Sequence, residues 1–290
     1  MLNFIIFAFT FVGLLTIVAC SSKLPVRGDF RASLSYVLTM SFVVIVMLGW
    51  WYVTKGATVE DRVLAPIILP SPVEVLQAFP KLHFEQELVR SVWISFFRVT
   101  IGFFLAAFVA VALGVYMASF KPVSAFFKPL ALTSSYVPII VFIPLTLAWW
   151  GTTETQKIGF LFIACFVALL PLVIKDISDV SGAYLDVAIT KGATYWQLVR
   201  HVLFRVAAPN IWDHMRGVYG VGWGWIILAE VVNGQQGLGF LISMSERRGH
   251  TNATFAVIIV IVVIAIICDK VWKAVGKTLF PYRVEGQNGN

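Results

Sequence analysis

Residues 182–209 read GAYLDVAITKGATYWQLVRHVLFRVAAP. This stretch is hydrophilic enough to meet water, yet it stands between two apolar runs, 158–175 and 214–232. It is too long and too amphipathic for a plain connector. Two short helices fit it, broken at Gly192, because glycine tolerates the positive φ of a sharp helix–helix turn. The first gathers Tyr184, Leu185 and Ala188 on one face. The second starts at Thr194 as N-cap and runs through Trp196, Leu198, Val199, Val202 and Leu203. The expected result is a compact knob held between two hydrophobic spans.

The rest of the chain explains why those flanks are spans. Of 290 residues, 59% are hydrophobic and 13% are charged, against about 25% charged in an ordinary soluble domain. A chain of this size cannot hide that apolar surplus from water, so lipid is its solvent. A bilayer core takes about 20 apolar residues as helix, and helix alone satisfies an isolated segment's backbone there. Seven runs qualify: 2–20, 34–53, 91–118, 131–150, 158–175, 214–232 and 252–272. They are continuous, not the short alternating segments of a membrane barrel. The expected fold class is all-α, a polytopic membrane helix bundle.

The net charge of +7 does not point to nucleic acid, because the basic residues sit between the apolar runs. Lys23, Arg27 and Arg31, then Lys121 and Lys128, then Lys191, Arg200 and Arg205, then Lys273, Lys277 and Arg283 would share one side of the membrane. The opposite segments, 54–90, 151–157 and 233–250, are poorer in such residues, with Arg247 and Arg248 the exception. The positive-inside rule places the first set in the cytoplasm, the N-terminus outside and the C-terminus inside. Cys20, Cys165 and Cys268 lie within apolar runs and lack the spacing of a zinc site or disulfide framework. Ile17 to Cys20 resembles a lipoprotein cleavage box, but no basic residue precedes the run, so 2–20 is expected to be a retained span.

The 182–209 stretch resembles the cytoplasmic loop of binding-protein-dependent ABC importer permeases. That loop opens Glu-Ala-Ala, has Gly four residues after the second Ala, and ends near Ile-x-Leu-Pro. Here the opening is Asp186, Val187 and Ala188, followed by Gly192. Val202 and Phe204 stand at the Ile and Leu positions. Arg205 stands where the family has Pro, and Pro209 follows four residues later. The resemblance extends along residues 34–284. Leu69-Pro70-Ser71-Pro72, Ser91 with Arg98 and Gly102, Ala229-Glu230 followed by Gly237-Leu238-Gly239-Phe240-Leu241-Ile242, and Phe280-Pro281-Tyr282 are similar to the nitrate, sulfonate, taurine and bicarbonate branch. The resemblance implies a type I ABC importer fold, with a six-helix permease domain over 34–284. Residues 1–33 add an extra transmembrane helix and basic linker, and 285–290 form a tail. It implies a non-catalytic subunit in the bacterial inner membrane, with ATP and Mg bound by a partner. The implied partners are a cytoplasmic ABC ATPase dimer, a second permease and a solute-binding protein. The ATPase contact would fall on Asp186, Val187, Ala188, Gly192, Ala193 and Trp196. The cargo would be a small anion such as nitrate, a sulfonate, taurine or bicarbonate.

Chemistry inside the chain is sparse. Gly276-Lys277-Thr278 ends like a phosphate loop, but no glycine stands at Val271 and no strand precedes it. His83, His201, His214 and His250 lack metal-ligand spacing. No nucleophile pairs with a base, which removes an intramembrane enzyme. A gradient-driven transporter is the alternative, but it predicts inverted repeats and paired intramembrane acids. Charged residues within spans are costly and often functional. Arg98 and Glu230 either line the translocation path or clamp helices together, and Tyr136 is a third path candidate. Asp213 and Arg216 read as helix-end clamps. Gly217, Gly220, Gly222 and Gly224 allow close helix approach, within the chain or against a second copy. Pro138 and Pro144 interrupt the fourth span. The amphipathic segment 73–79 is expected along the outer surface, where a solute-binding protein would dock.

Overall fold

The structure, a computed structural model, describes residues 32–282 apart from 57, 59 and 135. The extra N-terminal span and the tail lie outside the described residues. Every regular element among the described residues is helical. In chain order these are α1 (Ala32–Thr54), α2 (Pro72–Phe84), α3 (Leu88–Ser119), α4 (Lys121–Ser134), α5 (Phe142–Trp150), α6 (Glu154–Ser178), α7 (Gly182–Thr190), α8 (Tyr195–Gln197), α9 (Phe204–Asn233), α10 (Leu238–Arg247) and α11 (Thr251–Leu279). Five of the six spans expected from 34 to 272 each fall on a single helix; the fourth, 131–150, does not. Among the described residues, four helices are long and apolar enough to cross a membrane: Tyr36–Thr54, Leu88–Ser119, Glu154–Ser178 and Thr251–Leu279.

The described residues form two compact units. In the first, reaching to Ala78 with Gly249–Asn252 added, the loop after α1 is tied back by polar contacts. Trp50 donates to the Pro70 carbonyl at 2.8 Å, and Thr251 to the Ile67 carbonyl at 3.0 Å. The Leu69-Pro70-Ser71-Pro72 motif is a helix start. Ser71 and Glu74 form a reciprocal capping box: the Ser71 amide donates to Glu74 at 2.8 Å, and the Glu74 amide to Ser71 Oγ at 3.3 Å. Pro72 occupies the first helical position, where its missing N–H costs nothing. Arg62 closes on Glu74 at 2.8 Å. Its hydrogen bond holds the Glu74 carboxyl below the ordinary carboxylate range. Within α2, Val75, Ala78 and Leu82 are buried while Val73 and Leu76 are exposed, the one-sided pattern expected there.

The second unit, Phe79–Arg248 with Ala253 onward, is organised by α3, α6 and α9. A Cβ on Gly102 would lie 2.6 Å from Leu161 Cβ, and one on Gly114 2.7 Å from Val173. With buried Ala106 and Ala110 between them, these glycines form a small residue every four positions. Two helix backbones therefore approach closely, as membrane helices must where no hydrophobic driving force separates protein from lipid. The pairing of 102 with 161 and 114 with 173 makes α3 and α6 parallel. α9 runs back against them. His214 sits 3.3 Å from Asp176 at one end, the Tyr219 and Thr100 hydroxyls share a 3.0 Å hydrogen bond midway, and Glu230 meets Ser95 at the other end. The α11 side chain Trp272 packs among Phe103, Trp212 and Tyr219.

Four expectations are corrected or narrowed. The fourth span is not one helix: α4 stops at Ser134, a single 3-10 turn (Ile139–Val141) follows extended Pro138, and α5 then begins. Residues 120–130, expected as loop, are helical from Lys121. The segment 233–250, also expected as loop, contains α10. The glycines of the sixth span divide: Gly222 has Val99 and Cys165 within 4 Å, but Gly217, Gly220 and Gly224 face open space. Close packing within the chain is instead the task of Gly102 and Gly114.

Candidate functional site

The 182–209 stretch starts as expected and ends differently. α7 closes on Gly192 at φ +79°. The Gly192 amide donates to the Ile189 carbonyl at 2.8 Å, and the Ala193 amide to the Ala188 carbonyl at 3.0 Å. This paired arrangement stops a helix on a left-handed residue, and glycine adopts that conformation without a Cβ penalty. Thr194 then caps the next turn. Gln197 Oε1 accepts from the Thr194 amide at 2.8 Å, and Thr194 Oγ1 accepts from the Gln197 amide at 3.4 Å. The second helix does not end at Pro209. A π-turn (Leu198–Leu203) carries α8 directly into α9, with Pro209 inside the latter. Such π segments are rare and gather at functional sites. The knob is therefore joined rigidly to a span on its C-terminal side. Leu198 and Val199 are buried beneath it, while Tyr184, Val187, Ile189, Tyr195 and Trp196 project outward, Tyr195 being 83% exposed. Asp186 is exposed, and Ala188 and Ala193 are half-buried. Trp196 stacks on Tyr116 of α3, with ring centres 6.2 Å apart.

A second constellation lies at the other end of α6, roughly 36 Å away along 25 residues of helix. Arg98 and Glu230, separate in sequence, meet here at 2.7 Å. The Glu230 carboxylate is fully buried and saturated with donors. Ser95 Oγ lies 2.8 and 2.9 Å from its two oxygens, and the Gly239 amide donates at 2.9 Å. The Leu238 amide donates to Ser95 Oγ at 2.9 Å, and Arg98 Nη1 also reaches the Gln236 carbonyl at 2.8 Å. Glu230 thus caps the start of α10, where free amides favour an anion. The glycines of Gly237-Leu238-Gly239 make room for it. A Cβ on Gly237, whose φ is +110°, would strike the Glu230 carboxylate, and one on Gly239 would lie 2.6 Å from Glu230 Cβ.

Arg98 has a second partner that sequence reasoning missed. Its Nε reaches Glu154 Oε2 at 2.6 Å, and its Nη2 reaches Glu154 Oε1. Lys157, one turn further on and almost fully buried, lies 3.9 Å from the same carboxylate. Ser95 had a signal, since it shares a helix face with Ser91, Arg98 and Gly102. Glu154 had none beyond its place at a span end. Tyr136 is not part of this cluster; it projects from the break in the fourth span, 83% exposed. Asp213 and Arg216, expected at a helix end, lie within α9; Arg216 is 3.9 Å from Asp213 and crosses to Asp269 of α11 at 3.0 Å. Among the described residues no group of His, Cys, Asp and Glu has metal-binding geometry.

Residues 110–279 match the model of the family described as binding-protein-dependent transport system inner membrane component. The chain belongs to that family. The taurine transport system permease protein TauC of Escherichia coli K12 is 27% identical over 268 residues, covering 90% of this chain and 96% of the relative. The putative aliphatic sulfonates transport permease SsuC of Bacillus subtilis is 26% identical, covering 82% and 85%. The nitrate import permease NrtB of Synechocystis is 27% identical, covering 70% and 77%. Among solved structures, an inward-facing MetNI methionine ABC transporter chain superposes with a TM-score of 0.60 at 17% identity, covering 67% of this chain and 96% of that one. A chain of an amino acid ABC transporter gives 0.52 at 18%. The fold is that of a type I ABC importer permease. The protein is a multi-pass inner-membrane permease of the ABC importer class, and these relatives are of the nitrate, sulfonate and taurine branch.

Proposed function

We propose that this permease forms a path for a small oxyanion and takes its drive from a separate ATPase that grips residues 182–203. The observation that carries the reading is the knob: capped at both of its turns, fused through the π-turn to α9, and presenting five large apolar side chains to water. Exposed aromatic and aliphatic residues on a rigid mount are what a partner groove requires. Asp186, Val187, Ala188, Gly192, Ala193 and Trp196 form or shape that contact. ATP and Mg belong to the partner, and this chain carries no chemistry of its own. Closure of the ATPase dimer pulls the knob, and α9 transmits the pull because no flexible joint intervenes. This gives the two-state element that a ligand can bias.

The path itself needs a second permease, either another copy or a related chain. Tyr136, at the broken fourth span, lies on it, since irregular backbone at membrane depth is tolerated where it lines a cavity. Arg98 and Glu230 act at its outer end by fixing the α9–α10 turn. A solute-binding protein delivers cargo on that side. The oxyanion class is supported by the names of the relatives, which specify taurine, sulfonates and nitrate. Uptake of labelled taurine, sulfonate and nitrate by cells expressing the full transporter tests it. ATP-dependent uptake abolished by Gly192→Pro is the expected result. Uptake that persists without ATP and follows an ion gradient would favour a secondary transporter instead.

A further inference from the structure

The Arg98 guanidinium has two faces with different partners. Its Nη1 faces inward, fixed by Glu230 and the Gln236 carbonyl. Its Nε and Nη2, the edge that grips a carboxylate or other oxyanion with two parallel bonds, face Glu154. The burial of the two partners is unequal: the Arg98 side chain is 4% exposed and Glu154 is 62% exposed. Lys157, 3% exposed, directs a second positive charge at the same carboxylate, with one other contact, 3.4 Å to the Thr153 carbonyl. Two buried cations therefore converge on an anion whose own side chain stands in solvent.

The charge balance makes that anion a replaceable part. Arg98 and Lys157 against Glu230 and Glu154 sum to zero. Removing the Glu154 carboxylate leaves a net charge of +1 and an unfilled two-pronged donor edge. Glu230 cannot supply it, since its oxygens are committed to Ser95, Arg98 Nη1 and the Gly239 amide. Glu154 can leave, because its chain is flexible and rotates into water. An oxyanion with two oxygens on one edge, such as a sulfonate, carboxylate or nitrate, has the same shape as the group it would replace.

We infer that Arg98 and Lys157 form an oxyanion seat at the end of α6 opposite the 182–203 knob, plugged in this conformation by Glu154. If the knob faces the cytoplasm, the seat faces the delivery side, and an incoming anion competes with the plug. Its use in transport rests on the oxyanion reading above; its existence does not.

The test uses the full-length permease purified in nanodiscs, titrated with sodium methanesulfonate and, as a neutral match in shape, dimethyl sulfone. Glu154→Gln is expected to bind methanesulfonate at least about tenfold more tightly than the unchanged protein. Glu154→Asp, one methylene too short to fill the edge, falls between them. Adding Lys157→Gln to Glu154→Gln reverses most of the gain, and dimethyl sulfone binds no variant. The proposal is overturned if Glu154→Gln and Glu154→Asp bind methanesulfonate no better than the unchanged protein, or if dimethyl sulfone binds equally. Should Glu154→Gln fail to fold, the Asp variant with and without Lys157→Gln still decides. Uptake assays on the assembled transporter stand apart. Cargo that proves neutral or cationic refutes the transport reading while leaving the binding result intact.

Discussion

At one end of α6, Glu154 enters a cluster in which Ser95, Arg98, Lys157, Glu230 and two backbone amides of α10 satisfy one another almost completely. At the other end the chain turns into α7, which closes on Gly192 and leaves Tyr184, Val187 and Ile189 more than half exposed. Both ends hold charged or aromatic residues that a composition count would score alike. The difference lies in who supplies the partners. The Arg98 cluster is completed by this chain, so its residues should matter first for folding. On the proposed function the knob is completed by another protein, so its exposed side chains should matter for function and leave stability alone.

The sharpest way to break that contrast is to remove one charge from the cluster. Arg98→Ala strands Glu230, buried and with its main counter-charge gone, which typically costs about 3–5 kcal/mol. The expected outcome is loss of the monodisperse peak on size exclusion in detergent. A well-folded Arg98→Ala protein would mean that the cluster is not the anchor described here.

Two glycines offer a matched second test. Gly192 and Gly237 both hold positive φ, but a Cβ on Gly192 meets open space and one on Gly237 meets the Glu230 carboxylate. Gly192→Ala should cost only the left-handed backbone penalty, about 1–2 kcal/mol. Gly237→Ala should cost more, since the carboxylate must also leave its amide donors. Thermal midpoints in nanodiscs rank the two, and equal shifts would contradict the placement of Glu230.

How much of this contrast was visible in the sequence follows from the distance over which each end is built. The knob is local. Gly192, Thr194 and Gln197 lie within six residues, so the chain alone states the break and the cap. The Arg98 cluster joins Ser95 to Glu230 across 135 positions, and single-sequence patterns are blind to such pairs. Arg98 and Glu230 stood out only as costly charges within spans, and Glu154 not at all. The same blindness left the glycines undivided. Spacing marked Gly217, Gly220, Gly222 and Gly224 for packing within the chain or against a second copy, but only the fold shows that Gly102 and Gly114 close on α6. Pro209 misled for another reason. A proline signals a helix end unless neighbouring packing holds the helix through it, and the preceding π-turn is a tertiary feature with no sequence mark.

The smallest expected effect belongs to neither end. Glu74, held by Arg62, has its folded pKa depressed. Its contribution to stability is therefore fully present above the ordinary glutamate pKa of about 4.3, and is lost as pH falls through the folded value. Arg62→Gln should lower the thermal midpoint slightly at neutral pH and leave it nearly unchanged below the folded pKa, so the acid side of the profile flattens. A profile identical to that of the unchanged protein would remove the pair from the account.

Val187→Glu tests the central claim most directly. Val187 is 57% exposed on α7, so a charge there should shift stability by no more than about 0.5 kcal/mol. The measurement is co-purification of the ATPase subunit with the variant permease, alongside its thermal midpoint and ATP-driven uptake. The account predicts an unchanged midpoint with the ATPase and the uptake both lost. Full uptake with the ATPase still bound would show that the knob is not the contact through which this permease is driven.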